Sequence, residues 1–247
     1  MVFDIEPAKP LTLGNADRAI QSIITLVNLA VDERLIPTLV QIREIKGDGW
    51  VEVHTEDAGA TNPAMRNSDF FLPPNSLSLE RMARWLTSEL TMDGLSTAVA
   101  EPISGAAMQV KTLTACSLVE GIHRRIYGGR LNYRERAAAL LEGAARVDGE
   151  IVAPIDDWPA LVVTARNDLA HHNPITSLDL QIYNWMLVEP SVMWVLRVCL
   201  LSHAGFADEE LCSALNGCQK YKFYRENLKM HLKERTEIEV WETARHA

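Results

Sequence analysis

The chain has 247 residues, with 24 Lys plus Arg against 33 Asp plus Glu, a net charge of −9, 47% hydrophobic and 23% charged residues. That is an ordinary globular composition, long enough to bury a substantial core in one or two domains. It argues against sequence-independent coating of DNA. No uninterrupted apolar run approaches the roughly 18 residues of a transmembrane helix. The opening MVFDIEPAKP has no basic region followed by an apolar one, so no secretory signal is expected. Cys116, Cys199, Cys212 and Cys218 form no CxxC pair, which argues against a zinc ribbon or a disulfide scaffold and predicts a reducing, cytoplasmic setting. The charge is uneven: residues 1–105 hold 8 basic and 15 acidic side chains, residues 106–247 hold 16 and 18.

In chain order, residues 14–33 predict a first helix, with Asn15 as N-cap and Ile20, Ile23, Ile24, Val27 and Ala30 as its apolar face. LIPTLVQIREI and WVEVHTE then alternate with period two around Lys46-Gly47-Asp48-Gly49 and predict a β-hairpin. Two strands alone are marginal in water. Either further strands precede them in a longer, β-rich protein, or the hairpin leans on the helical body. Residues 1–60 are therefore expected to be a small α/β segment, and the Gly, Pro, Asn and Ser of 61–77 a linker. From 78 to 247 the pattern is helical. A helix is expected from Ser78 to about Ala100, followed by helices over 106–127 and 133–146 separated by Gly128-Gly129. Further helices are expected over 157–171, 178–204, 208–216 and 218–235, with Pro190 kinking or splitting the one over 178–204. The fold class is mainly α: a helical bundle preceded by a helix and a hairpin.

The segment VVTARNDLAHHNPI carries the chemistry. Arg166, Asn167 and His171 form Arg-Asn-x-x-x-His at the end of an apolar helix, and Asn173-Pro174 stops it. On a straight helix Arg166 and His171 point about 140° apart. A site using both needs a frayed helix end or a second copy of the helix alongside, so the spacing points to a homodimer. Taken as residue types alone, cations at a helix C-terminus also complement its dipole and cap its carbonyls.

Arg166-Asn167-Asp168-Leu169-Ala170-His171 resembles the Arg-x4–6-His motif of the HEPN superfamily, with the polar residue that usually follows the Arg. The order of parts is similar to the Apea-like branch, in which a β-rich region precedes the helical domain. SLVEGIHRR in the helix over 106–127 resembles that branch's glutamate-containing helix. The resemblance covers about 78–235 and implies a HEPN-like bundle acting as a metal-independent endoribonuclease, of the kind found in toxin–antitoxin and phage-defence systems. It implies RNA, a second copy of the chain, and an antitoxin or inhibitory domain as partners, with no cofactor, metal or membrane. His171 is then the acid or base, Arg166 holds the scissile phosphate, and Asn167 positions them; His172, also within the allowed spacing, is the alternative histidine. These residue types suit the reaction. A ribose 2′-OH needs a base, a leaving 5′-oxygen needs an acid, and a planar, permanently charged guanidinium matches a phosphate.

Glu120 is a candidate partner for Arg166, or else part of a solvated helix face with His123, which is expected to be structural. Arg124, Arg125, Arg130 and Arg134, with Arg136, put five arginines in 13 residues around Tyr127 and Tyr133. They form either an RNA-backbone patch with stacking rings or a basic turn. In the tail over 220–235, aromatic residues among six basic ones are expected to dock on the bundle. Trp158, Trp185 and Trp194 are expected in the core. The competing functions are a catalytically silent HEPN-like module for dimerisation or for binding a nucleotide or partner, and a purely structural domain.

Overall fold

The computed structural model describes Glu6, Lys9 and residues 11–32, 34–43, 49–53, 71–101, 105–171 and 177–246. Among these residues lie nine helices and one two-stranded sheet. They are α1 (Leu13–Val31), β1 (Gln41–Arg43), β2 (Trp50–Glu52), α2 (Leu79–Glu89), α3 (Leu95–Ala100), α4 (Met108–Ile126), α5 (Tyr133–Ala145), α6 (Trp158–Ala170), α7 (Leu178–His203), α8 (Asp208–Gly217) and α9 (Gln219–His246). The mainly helical class expected from the sequence is the class observed.

The core forms around α7. This helix is apolar on every side, so it must be covered all round. α4, α5 and α6 pack on it, α9 runs along it, and α1, α3 and α8 complete the cover. Its 26 residues are long and apolar enough to cross a membrane by length and composition, but 72% of the most apolar stretch is buried inside the bundle. Pro190 does not split it: one helix runs from Leu178 to His203. Proline removes one helical hydrogen bond. One local and one tertiary bond support the helix at that gap: the Ser191 hydroxyl donates to the Val188 carbonyl of the same helix (3.0 Å) and accepts from Trp158 Nε1 of α6 (2.7 Å).

α1 is built into the same core. Its N-cap is Thr12, not Asn15: Thr12 Oγ1 accepts the Asn15 N–H. Leu26, Leu29 and Ala30 are buried in the cluster that contains the α4 and α7 core residues. Burying each leucine stabilises the fold by roughly 1.5–3 kcal/mol. Most polar groups on the buried face are bonded: Thr25 meets Thr97 (3.0 Å), Asn28 donates to Glu101 (3.0 Å), and Trp85 Nε1 donates to the Ser22 carbonyl (2.7 Å), while the buried Ser22 hydroxyl has no hydrogen-bond partner among the described residues. At its end Asp32 takes a left-handed conformation (φ 60°) and pairs with Arg197 of α7; both side chains are largely buried.

β1 and β2 pair antiparallel with Ile42 opposite Val51. Their connection over 44–48 and most of the expected linker over 61–77 lie outside the described residues. Where that linker is described, it joins the core: Phe71 and Leu72 are buried, and Phe71 meets Trp194 edge-on at 5.8 Å.

The single helix expected over 78–100 is two, α2 and α3. Asp93 (φ 51°) and Gly94 (φ 79°) are left-handed between them, and the fully buried Met92 pins the turn. α9 extends to His246, well past the expected Arg235. Tyr221 and Tyr224 dock on Trp194, with ring centroids at 5.0 and 6.0 Å, while Phe223 points outward.

Removing one partner of a buried ion pair leaves the other charge unpaired, so Asp32→Ala is expected to cost about 3 kcal/mol. Breaking the exposed Glu80–Arg84 pair with Glu80→Ala is expected to cost less than about 1 kcal/mol. Urea denaturation of the two variants checks this.

Candidate active site

α6 begins at Asp157, whose Oδ1 accepts the Ala160 N–H (3.0 Å), with Pro159 in the first turn, where its missing N–H costs nothing. Trp158, Val162 and Ala165 form the buried stripe. Arg166 follows Ala165 and stands one turn after Val162, so it leaves the helix at the edge of that stripe, half-buried. Its guanidinium lies over the Tyr133 ring, 5.0 Å from the centroid. Its Nη1 donates to Asn167 Oδ1 (3.1 Å). Among the described residues it makes no ion pair with any carboxylate.

Tyr133 is the first residue of α5. Asn132 and Glu135 fix it through a reciprocal capping box: the Asn132 side chain accepts the Glu135 N–H (3.0 Å), and the Asn132 N–H donates to Glu135 Oε2 (2.8 Å). The Tyr133 hydroxyl donates to the Cys116 carbonyl of α4 (2.8 Å). Burial pushes the Tyr133 phenol far up, so it stays a donor, although the Arg166 charge pulls the other way. The same burial pushes the Cys116 thiol up to about 11.

His171 caps the C-terminus of α6. Its backbone N–H donates to the Asn167 carbonyl (3.0 Å), and its side chain is exposed. Asn167 lies about 40° from His171 and about 100° from Arg166 around the helix. The amide thus stands between the two and already holds the guanidinium. No hydrogen bond joins the Arg166 and His171 side chains among the described residues. His172, the alternative histidine, lies outside them.

Of the two candidate roles for Glu120, the pairing with Arg166 does not form among the described residues. Glu120 Oε1 takes Arg124, one turn on in α4 (3.0 Å), and Arg136 from α5 (3.3 Å). Arg166 approaches from α6 and meets Tyr133 instead. His123 does not share a solvated face with Glu120. It is buried against Tyr127 (5.4 Å), both ring nitrogens lack a hydrogen-bond partner among the described residues, and burial holds its pKa below the usual imidazole range.

The arginine patch is also more compensated than its composition implies. Arg124 pairs with Glu120, Arg125 with Asp93, and Arg134 with Asp157. Arg136 is buried, donating Nε to the Leu131 carbonyl (2.8 Å). Arg130 is exposed and makes no ion pair among the described residues. Exposed pairs of this kind are worth at most about 1 kcal/mol and exchange readily for a phosphate. Tyr133, expected as a ring for stacking bases, is occupied by Arg166. The residue that sequence reasoning missed is thus Tyr133 as the support of Arg166. An aromatic residue directly after a capping asparagine is visible in the sequence, but the partner it faces across the bundle is not.

No three His, Cys, Asp or Glu side chains gather as a metal-binding group among the described residues. Residues 113–210 match the family model described as Apea-like HEPN. The matched stretch runs from within α4 into α8 and contains Arg166, Asn167 and His171. No curated protein and no solved structure matches the chain.

Three of the four thiols are buried, and burial raises Cys116 to about 11 and Cys199 to about 12. At pH 8 these two are neutral and shielded from attack. The native protein is expected to react quickly with a disulfide reagent at one thiol, the half-buried Cys212, and at all four after unfolding. Cys212→Ser should remove the fast reaction; fast reaction at Cys116 would contradict the packing of α4 against α5 and α6.

Proposed function

The chain carries an Apea-like HEPN domain over residues 113–210, and we propose that this domain is a metal-independent endoribonuclease. HEPN domains are often ribonucleases, and the family points to a ribonuclease, toxin or defence module. The observation that carries the finer reading is the state of Arg166. A half-buried guanidinium with no carboxylate partner among the described residues, seated on an aromatic ring, is a costly thing to keep. A phosphate supplies the missing charge.

In this reading the substrate phosphate docks on Arg166, with Arg130 and the exchangeable Arg124, Arg125 and Arg134 guiding the RNA backbone. The ribose 2′-oxygen forms a bond to phosphorus and gives up its proton to a base. The bond from phosphorus to the 5′-oxygen breaks, and that oxygen takes a proton from an acid. His171 performs one of these transfers, because imidazole exchanges protons near neutrality. Arg166 stabilises the charge that builds on the phosphorane oxygens, and Asn167 holds Arg166 in line. The products are a 2′,3′-cyclic phosphate and a 5′-hydroxyl. A second protomer supplies the other proton-transfer group if α6 faces its symmetry mate, which the exposed position of His171 permits. The net charge of −9 does not oppose this, since a local cluster sets the field a substrate meets.

We place the protein in the cytoplasm as a toxin or phage-defence effector, restrained by an antitoxin or inhibitory domain. One observation favours a second reading, a silent HEPN-like module that dimerises or binds a nucleotide or partner: no hydrogen bond joins the Arg166 and His171 side chains among the described residues of one chain.

Cleavage of total RNA in EDTA distinguishes them. Wild type is expected to cut and to leave cyclic phosphate ends. Arg166→Ala and His171→Ala are expected to lose at least about 100-fold in rate, and Asn167→Ala about tenfold. A folded wild-type dimer that cuts nothing, or variants as active as wild type, would favour the silent module.

A further inference from the structure

The geometry points to Tyr133 as the positioning residue that keeps the Arg166 guanidinium open to a phosphate; this rests on the ribonuclease reading above. An arginine half-buried in a bundle ordinarily folds onto the nearest carboxylate. Two features prevent that here. Glu120, which lies close enough to Tyr133 to act on its hydroxyl, is occupied by Arg124 and Arg136. The Tyr133 ring then takes the face of the guanidinium at 5.0 Å. A ring satisfies the face of a guanidinium and leaves its N–H edge for hydrogen bonds, whereas a carboxylate would consume that edge. Asn167 takes Nη1, leaving the rest of the fork for a substrate.

The support is rigid because it is tied at both ends. The capping box fixes the Tyr133 backbone at the start of α5, and the hydroxyl is tied to the Cys116 carbonyl in α4. The guanidinium on α6 is therefore located by a ring on α5 that is itself tied to α4. Placement within a fraction of an ångström is what transition-state stabilisation of a phosphorane demands. Tyr133 touches no reacting atom in this account; it acts through Arg166.

The test uses the full chain and three variants. Tyr133→Leu removes the ring, Tyr133→Phe keeps the ring and removes the tie to Cys116, and Arg166→Lys keeps the charge without the plane. Two readouts are needed: steady-state cleavage of an RNA substrate, and the NMR signal of the Arg166 Nε–H, assigned by its loss in Arg166→Lys. Tyr133→Leu is expected to lower kcat about tenfold with KM changed less than about threefold. It should also move the Arg166 signal from its ring-shifted position to that of a free arginine. Tyr133→Phe is expected to restore the ring-shifted signal and most of kcat. If Tyr133→Leu does not fold, Tyr133→Met takes its place.

An Arg166 signal unmoved by loss of the ring overturns the proposal whatever the activity. An active wild type whose kcat does not depend on the ring also overturns it and leaves the ribonuclease reading standing. A wild type that cuts nothing overturns the ribonuclease reading and the proposal with it; a signal that still moves then identifies Tyr133 as a purely structural contact.

Discussion

A helix with apolar side chains on every face has to be covered on every side, and α7 imposes that requirement on this chain. Trp185, Leu187, Val188, Val192, Val195, Leu196 and Val198 through Leu201 are all buried in it. No single neighbour can cover 26 residues all round, so helices from both ends of the sequence converge on it. α4, α5 and α6 form the bundle that matches the HEPN family, and α9 closes the opposite side with its tyrosines on Trp194. α1, far away in sequence, is locked to the same helix through the Asp32–Arg197 pair.

α6 takes its functional character from its place in that cover. Only the stripe of Trp158, Val162 and Ala165 is needed against the core. The face carrying Asn167 and His171 turns outward, and Arg166 falls at the boundary between the two. At such a boundary a guanidinium is partly desolvated and wants a partner. The bundle gives it an aromatic face and a neutral amide, and Glu120 of α4 is occupied by Arg124 and Arg136. Stability alone favours a direct ion pair there. The arrangement observed instead leaves the guanidinium without a carboxylate among the described residues, on the helix whose exposed end carries His171, which suits the phosphate-handling role proposed above.

Much of this was legible in the sequence where one local signal dominates. α5 starts after Asn132 and α6 after Asp157 because capping side chains and apolar periodicity agree. The motif on α6 was legible for the same reason, since it sits on a strongly patterned helix ending at Asn-Pro. Departures occur where distant contacts decide. Pro190 reads locally as a break, but Trp158 and the packing of α4 and α6 keep α7 continuous. Thr12 replaces Asn15 as the cap because the helix begins at Leu13, three residues before the start that an Asn15 cap implies. The turn at Asp93-Gly94 is held by burial of Met92, which periodicity alone reads as helix. The partners of Glu120 and Arg166 are set by how three helices cross, and the spacing within one helix carries no record of that.

The account stands or falls on chemistry at the ribose 2′-oxygen, carried out by side chains around Arg166. The most direct measurement places a single 2′-deoxy nucleotide at a mapped cleavage position in an otherwise unchanged RNA. The account requires that this RNA still binds and is still cut at its other sites, while the substituted position stays intact. Cleavage at the deoxy position would show that the 2′-oxygen is not the nucleophile and would contradict the assignment of Arg166, Asn167 and His171 to that reaction.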